Sequence, residues 1–198
     1  MVEHHAPEPS ADDLRQMIET ARWHISRFDT LRGLIAGRAS FIISANAVLV
    51  GGIALLLPKA LGLEEFGGEL VIAVLVLAAL ATLGCSIASI VSATGILVSL
   101  QRWRELFGSS APLSMLYTSS DTLRAAPTFT EFAAMLRQQT LEIEHQNATV
   151  SLWVVINTYS YRYAFLRRAV VWLRASLLIF SGSVAFAVVL LGVKLSIK

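Results

Sequence analysis

The 198-residue sequence has little charge and almost no cysteine. Asp, Glu, Lys and Arg make up 15% of it, against about 25% in ordinary globular domains. Apolar residues reach 55% and the mean hydropathy is +0.64, a balance that excludes an ordinary soluble domain and is typical of an integral membrane protein. The single cysteine, Cys85, excludes an intrachain disulfide. It lies in an apolar run, where a packing role is favoured over a reactive thiol.

The sequence also lacks the short motifs that carry common chemistry. It has no Gly-rich phosphate loop, no HExxH, no CxxC and no GxSxG. Glu142 and Glu144 are too close in sequence to face each other on a helix, and His4 and His5 have no evident third metal ligand. We therefore predict a protein that is not an enzyme, with no catalytic residues, no metal and no cofactor. The net charge of +2 gives no argument for a nucleic-acid polymer as partner.

Three uncharged stretches predict an all-α membrane protein with three transmembrane helices, at about 39–57, 70–91 and 175–193. Nineteen residues at 39–57 extend about 28 Å as a helix, close to the roughly 30 Å hydrocarbon core. The second run stays uncharged to Leu100, which is longer than a bilayer needs, so that helix either tilts or emerges into solvent. Pro58 is expected to end the first span, and residues 58–69 to form a loop.

The remaining residues predict one membrane domain, 1–198, with cytoplasmic extensions. Residues 1–10 are read as a mobile tail. Residues 11–38 form an amphipathic helix, started by Ser10 with Asp13, that is expected to pack on a partner helix rather than on the membrane surface. Its apolar positions follow steps of three and four: Leu14, Ile18, Ala21, Ile25, Phe28, Leu31 and Ile35.

Residues 101–174 are predicted to form a helical insert between the second and third spans. The stretch 108–127 reads as a loop, and Thr128 with Glu131 as a capping box. A single helix over 128–193 is compatible with the sequence, but a break near 147–151, where helix propensity falls, is equally open.

Basic residues near the predicted spans give an orientation. Ten arginines flank the N-terminal side and the insert, against three lysines on the other side. The rule that positive residues stay inside predicts a multi-pass protein of the cytoplasmic membrane with a cytoplasmic N-terminus.

Polar and small residues within the spans are the candidates for helix contact or gating. Asn46 is an amide inside the first span, and such a group must find hydrogen bonds within a bundle or another subunit. An interhelical clamp and a pore-lining or gating contact are both open. Ala81, Cys85, Ser89 and Ala93 repeat at four-residue spacing and predict a close helix approach, including one in a homo-oligomer.

Arginines before the third span have two interpretations. Arg162, Arg167, Arg168 and Arg174 are expected to flank the membrane and contact anionic headgroups. Alternatively they form an anion site, because the guanidinium matches phosphate geometry.

Two segments resemble the Pycsar transmembrane effectors, a family of bacterial anti-phage membrane proteins. The first is RFDTLRGLIAGRASFIISANAVL, with Phe28-Asp29, Arg38-Ala39-Ser40 and Asn46. The second is EHQNATVSLWVVINTYSYRYAFLRRAVVWL, where a basic and aromatic cluster precedes the last span. The resemblance covers most of residues 20–195. The family commonly has Lys in place of Arg38, and more basic character than Asn157-Thr158.

The resemblance implies an inner-membrane effector that is activated by a cyclic pyrimidine nucleotide and impairs the membrane during phage infection. It implies the lipid bilayer, the nucleotide second messenger and further copies of the chain as partners. The expected ligand-binding residues are Asp29, Arg38, Arg162, Arg167 and Arg168, and the expected gating or helix-contact residues are Asn46 and Ser89. The alternative is a non-catalytic anchor whose insert docks a cytoplasmic protein.

Overall fold

The computed structural model describes residues 9–61, 64–97 and 126–197, and these residues are helical with no strand among them. Three helices, α1, α2 and α4, are long and apolar enough to cross a membrane. The all-α class and three helices long and apolar enough to span a membrane are therefore confirmed for the described residues. The helices are α1 (Ala11–Leu61), α2 (Glu64–Leu97), α3 (Phe129–Arg137) and α4 (Leu141–Ile197).

The chain divides into two compact units. The first unit combines Met1–Arg32 with Leu100–Ser160, and the second combines Gly33–Ser99 with Tyr161–Lys198. The long helices α1 and α4 contribute residues to both units. The predicted amphipathic helix 11–38 and the predicted span 39–57 are thus parts of one helix of 51 residues.

In the first unit, α1 carries a buried apolar stripe and also contacts α4. Leu14, Ile18 and Ala21 are buried, and they follow the 4,3 spacing that places residues on one helical face. Arg22 of α1 forms an ion pair with Glu144 of α4, and the rings of Phe28 and Tyr159 meet edge to face with centroids 5.4 Å apart.

Two capping boxes begin helices in the first unit, as predicted. The Ser10 N–H donates to the Asp13 carboxylate at 3.0 Å, and the Asp13 N–H donates to the Ser10 hydroxyl oxygen at 3.2 Å. Thr128 and Glu131 exchange the same pair of bonds at the start of α3. The hydroxyl and the N–H of Ser10, in that order, hold the pKa of the Asp13 carboxyl below its usual range.

In the second unit, buried residues on α1 and α2 alternate steps of four and three. This heptad spacing is the one that packs helices at a shallow crossing angle with interlocking side chains. On α1 the buried positions are Ile35, Ala39, Ile42, Asn46, Leu49 and Ile53. On α2 they include Thr82, Ser86, Ser89, Ala93 and Ile96. On α4 they are Leu166, Ala169 and Ser176.

Pro58 does not end the first helix, contrary to the prediction. Helix α1 continues through it to Leu61, and α2 begins at Glu64, so the predicted loop over 58–69 is wrong. Proline removes one N–H and crowds the carbonyl one turn earlier. Because Pro58 lies in the last turns of α1, a single intrahelical hydrogen bond is lost there.

Neither alternative left open for residues 128–193 matches the structure, because α4 is continuous through 147–151, from Leu141 to Ile197, and is separate from α3. The break falls instead between α3 and α4. The Gln138 N–H turns back to Met135 O at 3.2 Å, and the Thr140 hydroxyl accepts the Ile143 N–H at 3.4 Å to start α4. Local propensity at 147–151 is a weak signal, which helix packing overrides.

Several predicted features lie outside the described residues. They are the tail with His4 and His5, most of the loop 108–127, and the part of the insert before residue 126. The cytoplasmic placement of residues 101–174 and the orientation of the chain stay predictions.

Candidate functional site: a buried polar seam

Asn46 is fully buried in the second unit, with 0% of its surface exposed. Its amide nitrogen donates two hydrogen bonds. One goes to the Ile42 carbonyl oxygen on its own helix at 2.8 Å, and the other goes to the Ser89 hydroxyl oxygen on α2 at 2.9 Å. Both amide hydrogens are therefore committed.

Ser89 extends this contact to the third helix. Its hydroxyl accepts from Asn46 and donates to the carbonyl oxygen of Ala169 on α4 at 2.9 Å. The chain of bonds Asn46–Ser89–Ala169 therefore joins α1, α2 and α4 at one level. The Ala169 carbonyl oxygen can accept this bond in addition to a backbone hydrogen bond of α4, because a carbonyl oxygen has two lone pairs.

A second polar layer lies two helical turns away along α4. The hydroxyl oxygens of Ser86 on α2 and Ser176 on α4 are 2.8 Å apart and share a hydrogen bond. Ser176 also lies 3.4 Å from the Thr82 carbonyl oxygen, to which it can donate. The Thr82 hydroxyl donates to Ala78 O on its own helix at 2.7 Å. We call these two layers the polar seam, comprising Asn46, Thr82, Ser86, Ser89 and Ser176.

The seam has one unpaired atom, the amide oxygen of Asn46. Asn46 Oδ1 is buried without a hydrogen-bond partner. Turning the amide over would place this oxygen against the Ile42 carbonyl, which can only accept, so the hydrogen-bond network fixes the nitrogen in its present place. A buried acceptor without a donor costs about 1–3 kcal/mol. The helix bundle of the second unit therefore carries a local destabilisation at Asn46.

Two glycine–aromatic contacts flank the seam. A Cβ built on Gly95 of α2 would lie 2.8 Å from the Phe165 ring, and one built on Gly52 of α1 would lie 3.0 Å from the Phe180 ring. Real Cβ atoms are essentially never as close as the first of these contacts. The two rings of α4 thus pack directly against glycines, and a Cβ at either position would require a ring to shift.

The predicted ligand residues are distributed over both units. Asp29 belongs to the first unit, where its carboxylate accepts from Arg32 at 2.9 Å. Arg38, Arg167 and Arg168 are exposed in the second unit, and Arg162 is half-buried there. The Arg168 guanidinium lies 5.6 Å from the centre of the Phe165 ring, within cation–π range. The binding role of these five residues stays a prediction.

A cleft of about 460 Å³ lies in the first unit between α1 and α4. Among the residues that the structure describes, its lining includes the Asp13 carboxylate and the His24 imidazole but no arginine or lysine. An ionised carboxylate without an opposing cation disfavours a phosphate group, so this cleft is a poor place for a nucleotide phosphate. Its lining residues are Asp13, Gln16, Met17, Thr20, Ala21, His24, Thr149 and Leu152.

Sequence reasoning selected Asn46 and Ser89, but not their partners. Ser86, Ser176 and the two glycine–aromatic contacts were missed. The signal was present in the heptad steps of α2, where Thr82, Ser86 and Ser89 alternate four and three. The predicted four-residue repeat at 81, 85, 89 and 93 mixes faces, because Ala81 is exposed and Cys85 is half-buried. Among the described residues no group of three potential metal ligands occurs.

Comparison of the chain with protein-family models, with curated proteins and with solved structures finds no match.

Proposed function

We propose that the protein is a membrane effector of bacterial anti-phage defence that is activated by a cyclic pyrimidine nucleotide and then impairs the inner membrane. It acts without catalysis, in the cytoplasmic membrane, with its N-terminus in the cytoplasm and in contact with other copies of itself. The nucleotide shifts the protein between a resting and an active arrangement of its helices, which requires tighter binding to the active one.

The observation that supports the membrane half of this proposal is the polar seam. Five fully buried polar side chains lie in a unit built from helices of membrane-spanning length. If apolar side chains stood at these positions, the unpaired oxygen of Asn46 would be absent and no buried polar group would be left without a partner. Since the seam carries a built-in destabilisation, its bonds are suited to being exchanged when the helices move.

The ligand class rests on the family resemblance of residues 27–49 and 144–173. Arg38, Arg162, Arg167 and Arg168 all belong to the second unit, and they are the groups that we assign to the nucleotide phosphate, because arginine binds phosphate through paired N–H donors. Asp29 belongs to the first unit and is not assigned to this site.

The experiment that tests this function is a ligand titration. The purified protein in detergent is heated in the presence of 3′,5′-cyclic CMP, 3′,5′-cyclic UMP and, as control, 3′,5′-cyclic AMP. A ligand at 100 times its dissociation constant stabilises the folded state by about 2.7 kcal/mol, so a raised melting temperature with one pyrimidine nucleotide only is expected. No shift with either pyrimidine nucleotide at millimolar concentration would refute the sensing function.

A specific observation favours the scaffold as second candidate. None of the nine residues of α3 is buried, and Phe129 is 84% exposed at its start. A short helix with an uncovered apolar side is suited to docking a protein. The two functions differ in cells that overproduce the protein with its activating nucleotide. The effector collapses the membrane potential, and the scaffold leaves it intact.

A further inference from the structure

A second unpaired buried atom lies in the first unit, on the side chain of Arg32. Its Nε is buried and has no hydrogen-bond partner. Among the described residues, Arg32 Nε and Asn46 Oδ1 are the only buried side-chain atoms without a partner, and only Arg32 Nε is a donor on a charged group. A buried N–H of a cation without an acceptor is unfavourable, because the group has lost its water and gained no bond in return. The described part of the chain therefore leaves Arg32 short of an acceptor.

The one hydrogen bond of the Arg32 guanidinium leaves most of its donors unused. Nη1 donates to Asp29 Oδ1 at 2.9 Å, and Arg32 makes no other side-chain hydrogen bond to the described residues. In a guanidinium, Nε–H and one N–H of Nη2 form a pair of parallel donors that fits two oxygens of a carboxylate or a phosphate. Asp29 contacts a different nitrogen, so this paired edge is left for another acceptor.

Arg15 on the same helix provides a direct comparison. It also pairs with an aspartate three residues earlier, Asp12, at 3.2 Å. The Arg15 side chain is 65% exposed, so water solvates the donors that Asp12 leaves free. The Arg32 side chain is only 31% exposed and its Nε is buried. The two ion pairs share their sequence spacing and differ in access to water, so a missing acceptor matters at Arg32 and not at Arg15.

The position of Arg32 along α1 indicates which acceptors are at hand. Ala39, the first residue of the uncharged stretch, lies seven positions after Arg32, or about 10 Å along the helix. Basic side chains that flank a membrane span lie near the lipid headgroups and are attracted to their phosphate groups. Phosphate oxygens match the paired donors of a guanidinium, which a lysine ammonium does not offer. A phosphate group is therefore the acceptor that best fits Arg32.

We propose that Arg32 binds a phosphate group through Nε and Nη2. Because Nε is buried, the side chain turns outward as the anion binds, and it exchanges its bond to Asp29 for bonds to the phosphate. The exchange gives the unpaired donor an acceptor and releases Asp29, which is 56% exposed and is then solvated by water. Asp29 therefore competes with the phosphate group for Arg32. This site goes beyond the proposed function and is independent of the arginines of the second unit that are assigned to the nucleotide.

The phosphate group belongs either to a lipid headgroup or to a soluble phosphate ester, and the test has one arm for each source. The full chain in an uncharged detergent is titrated with methyl phosphate as the soluble probe and with dioctanoyl phosphatidylglycerol as the lipid probe. Chloride at equal ionic strength and dioctanoylglycerol, which lacks the phosphate, are the respective controls. Dissociation constants are taken from the rise in melting temperature. The ¹⁵Nε–¹H signal of Arg32, assigned by its absence from Arg32→Lys, reports binding at the site itself.

Two substitutions at the site have matched controls at the other ion pair. Arg32→Lys keeps the charge but removes Nε–H and the paired edge, and is expected to weaken binding about tenfold or more. Asp29→Asn removes the competitor and is expected to tighten binding about threefold. Arg15→Lys and Asp12→Asn make the same chemical changes at the exposed pair and are expected to leave the dissociation constant unchanged.

Binding that is lost in Arg32→Lys and kept in Arg15→Lys supports the proposal, and the arm in which it occurs identifies the source. Binding in both arms identifies the phosphate group itself as the ligand. No binding in either arm, or equal weakening by Arg15→Lys, overturns the proposal. If Arg32→Lys is not helical, Asp29→Asn and Asp12→Asn decide: equal affinities for these two variants overturn it as well. Since no cyclic nucleotide is present, failure here leaves the nucleotide titration unaffected, and failure of that titration leaves this result unaffected.

Discussion

The two units of the chain are stabilised by different kinds of contact. In the first unit the described polar contacts are on the surface, such as the Arg22–Glu144 ion pair and the two capping boxes. In the second unit the hydrogen bonds that join different helices are buried, such as the Asn46–Ser89–Ala169 chain. Exposed ion pairs contribute about 0–1 kcal/mol and are screened by salt. Salt does not screen buried hydrogen bonds. Removing one partner of such a bond leaves the other unpaired, which costs more than the loss of an exposed ion pair.

The comparison shows where sequence change is tolerated. The first unit should accept loss of single contacts with small effects that depend on ionic strength. In the second unit, adding or removing one or two atoms should change the stability strongly. The size of that change should depend on which face of a helix carries the substitution. The predictions below test this contrast in order of expected effect.

The largest effect is expected from Gly95→Ala compared with Gly84→Ala. The added methyl group on Gly95 meets the Phe165 ring at 2.8 Å, and overpacking of this kind costs about 1–3 kcal/mol. On Gly84 it meets nothing, and alanine gains up to about 1 kcal/mol of helix propensity. Thermal unfolding in detergent should show opposite shifts for the two variants. Equal shifts would contradict the close packing of the Phe165 ring on Gly95.

Ser89→Ala should cost more than Asn46→Leu, although both remove the same bond. Ser89→Ala leaves one buried Asn46 N–H unpaired beside an already unpaired oxygen, at about 1–3 kcal/mol. Asn46→Leu removes the whole amide, so the unpaired oxygen disappears with it and stability changes little. The measurement is the melting temperature of both variants in one detergent. The reverse order would show that Asn46 is stably paired.

Thr128→Ala should destabilise α3 locally by about 1 kcal/mol, because it removes the side-chain acceptor of an N-cap. Backbone amide exchange at residues 129–132 should accelerate, while exchange around Asn46 stays unchanged. Thr128→Ser is the matched control, since serine keeps the hydroxyl acceptor. Faster exchange in the second unit would contradict the local nature of the cap.

The smallest effect is expected from Arg22→Gln, which removes the ion pair with Glu144. Its side chain is 66% exposed, so the loss should stay below about 1 kcal/mol and vanish in 0.5 M salt. Melting temperatures at low and high salt provide the measurement, with Arg38→Gln as the control, an exposed arginine that forms no ion pair among the described residues. A salt-independent loss would mean that the pair is screened less than its exposure indicates.

Much of this fold could be predicted from the sequence. The uncharged runs and the 3,4 spacing of Leu14, Ile18 and Ala21 indicate long helices, and the Ser10 and Thr128 capping boxes are local signals that the structure confirms. The break at 138–140 was missed because Thr140 is an isolated cap without a proline or glycine nearby.

The site was predictable only in part, for a physical reason. Asn46 is a single amide in an apolar run, so the sequence alone indicates that its side chain must form hydrogen bonds with other helices. Which hydroxyl meets it depends on the register of three helices, and one sequence does not fix that register. In the sequence, nothing distinguishes Ser176 from the other small residues of α4. Its role follows from the fold, which places its hydroxyl oxygen 2.8 Å from that of Ser86.

The central claim is that the polar seam controls the effect on the membrane. The most direct test is Asn46→Leu in bacteria that overproduce the protein together with the cyclic pyrimidine nucleotide that stabilises it, with membrane potential measured by a fluorescent dye. The account predicts that the wild-type chain depolarises the cells and that Asn46→Leu, present in the membrane at equal amounts, does not. Equal depolarisation by both chains would contradict the account and leave Asn46 as a structural clamp.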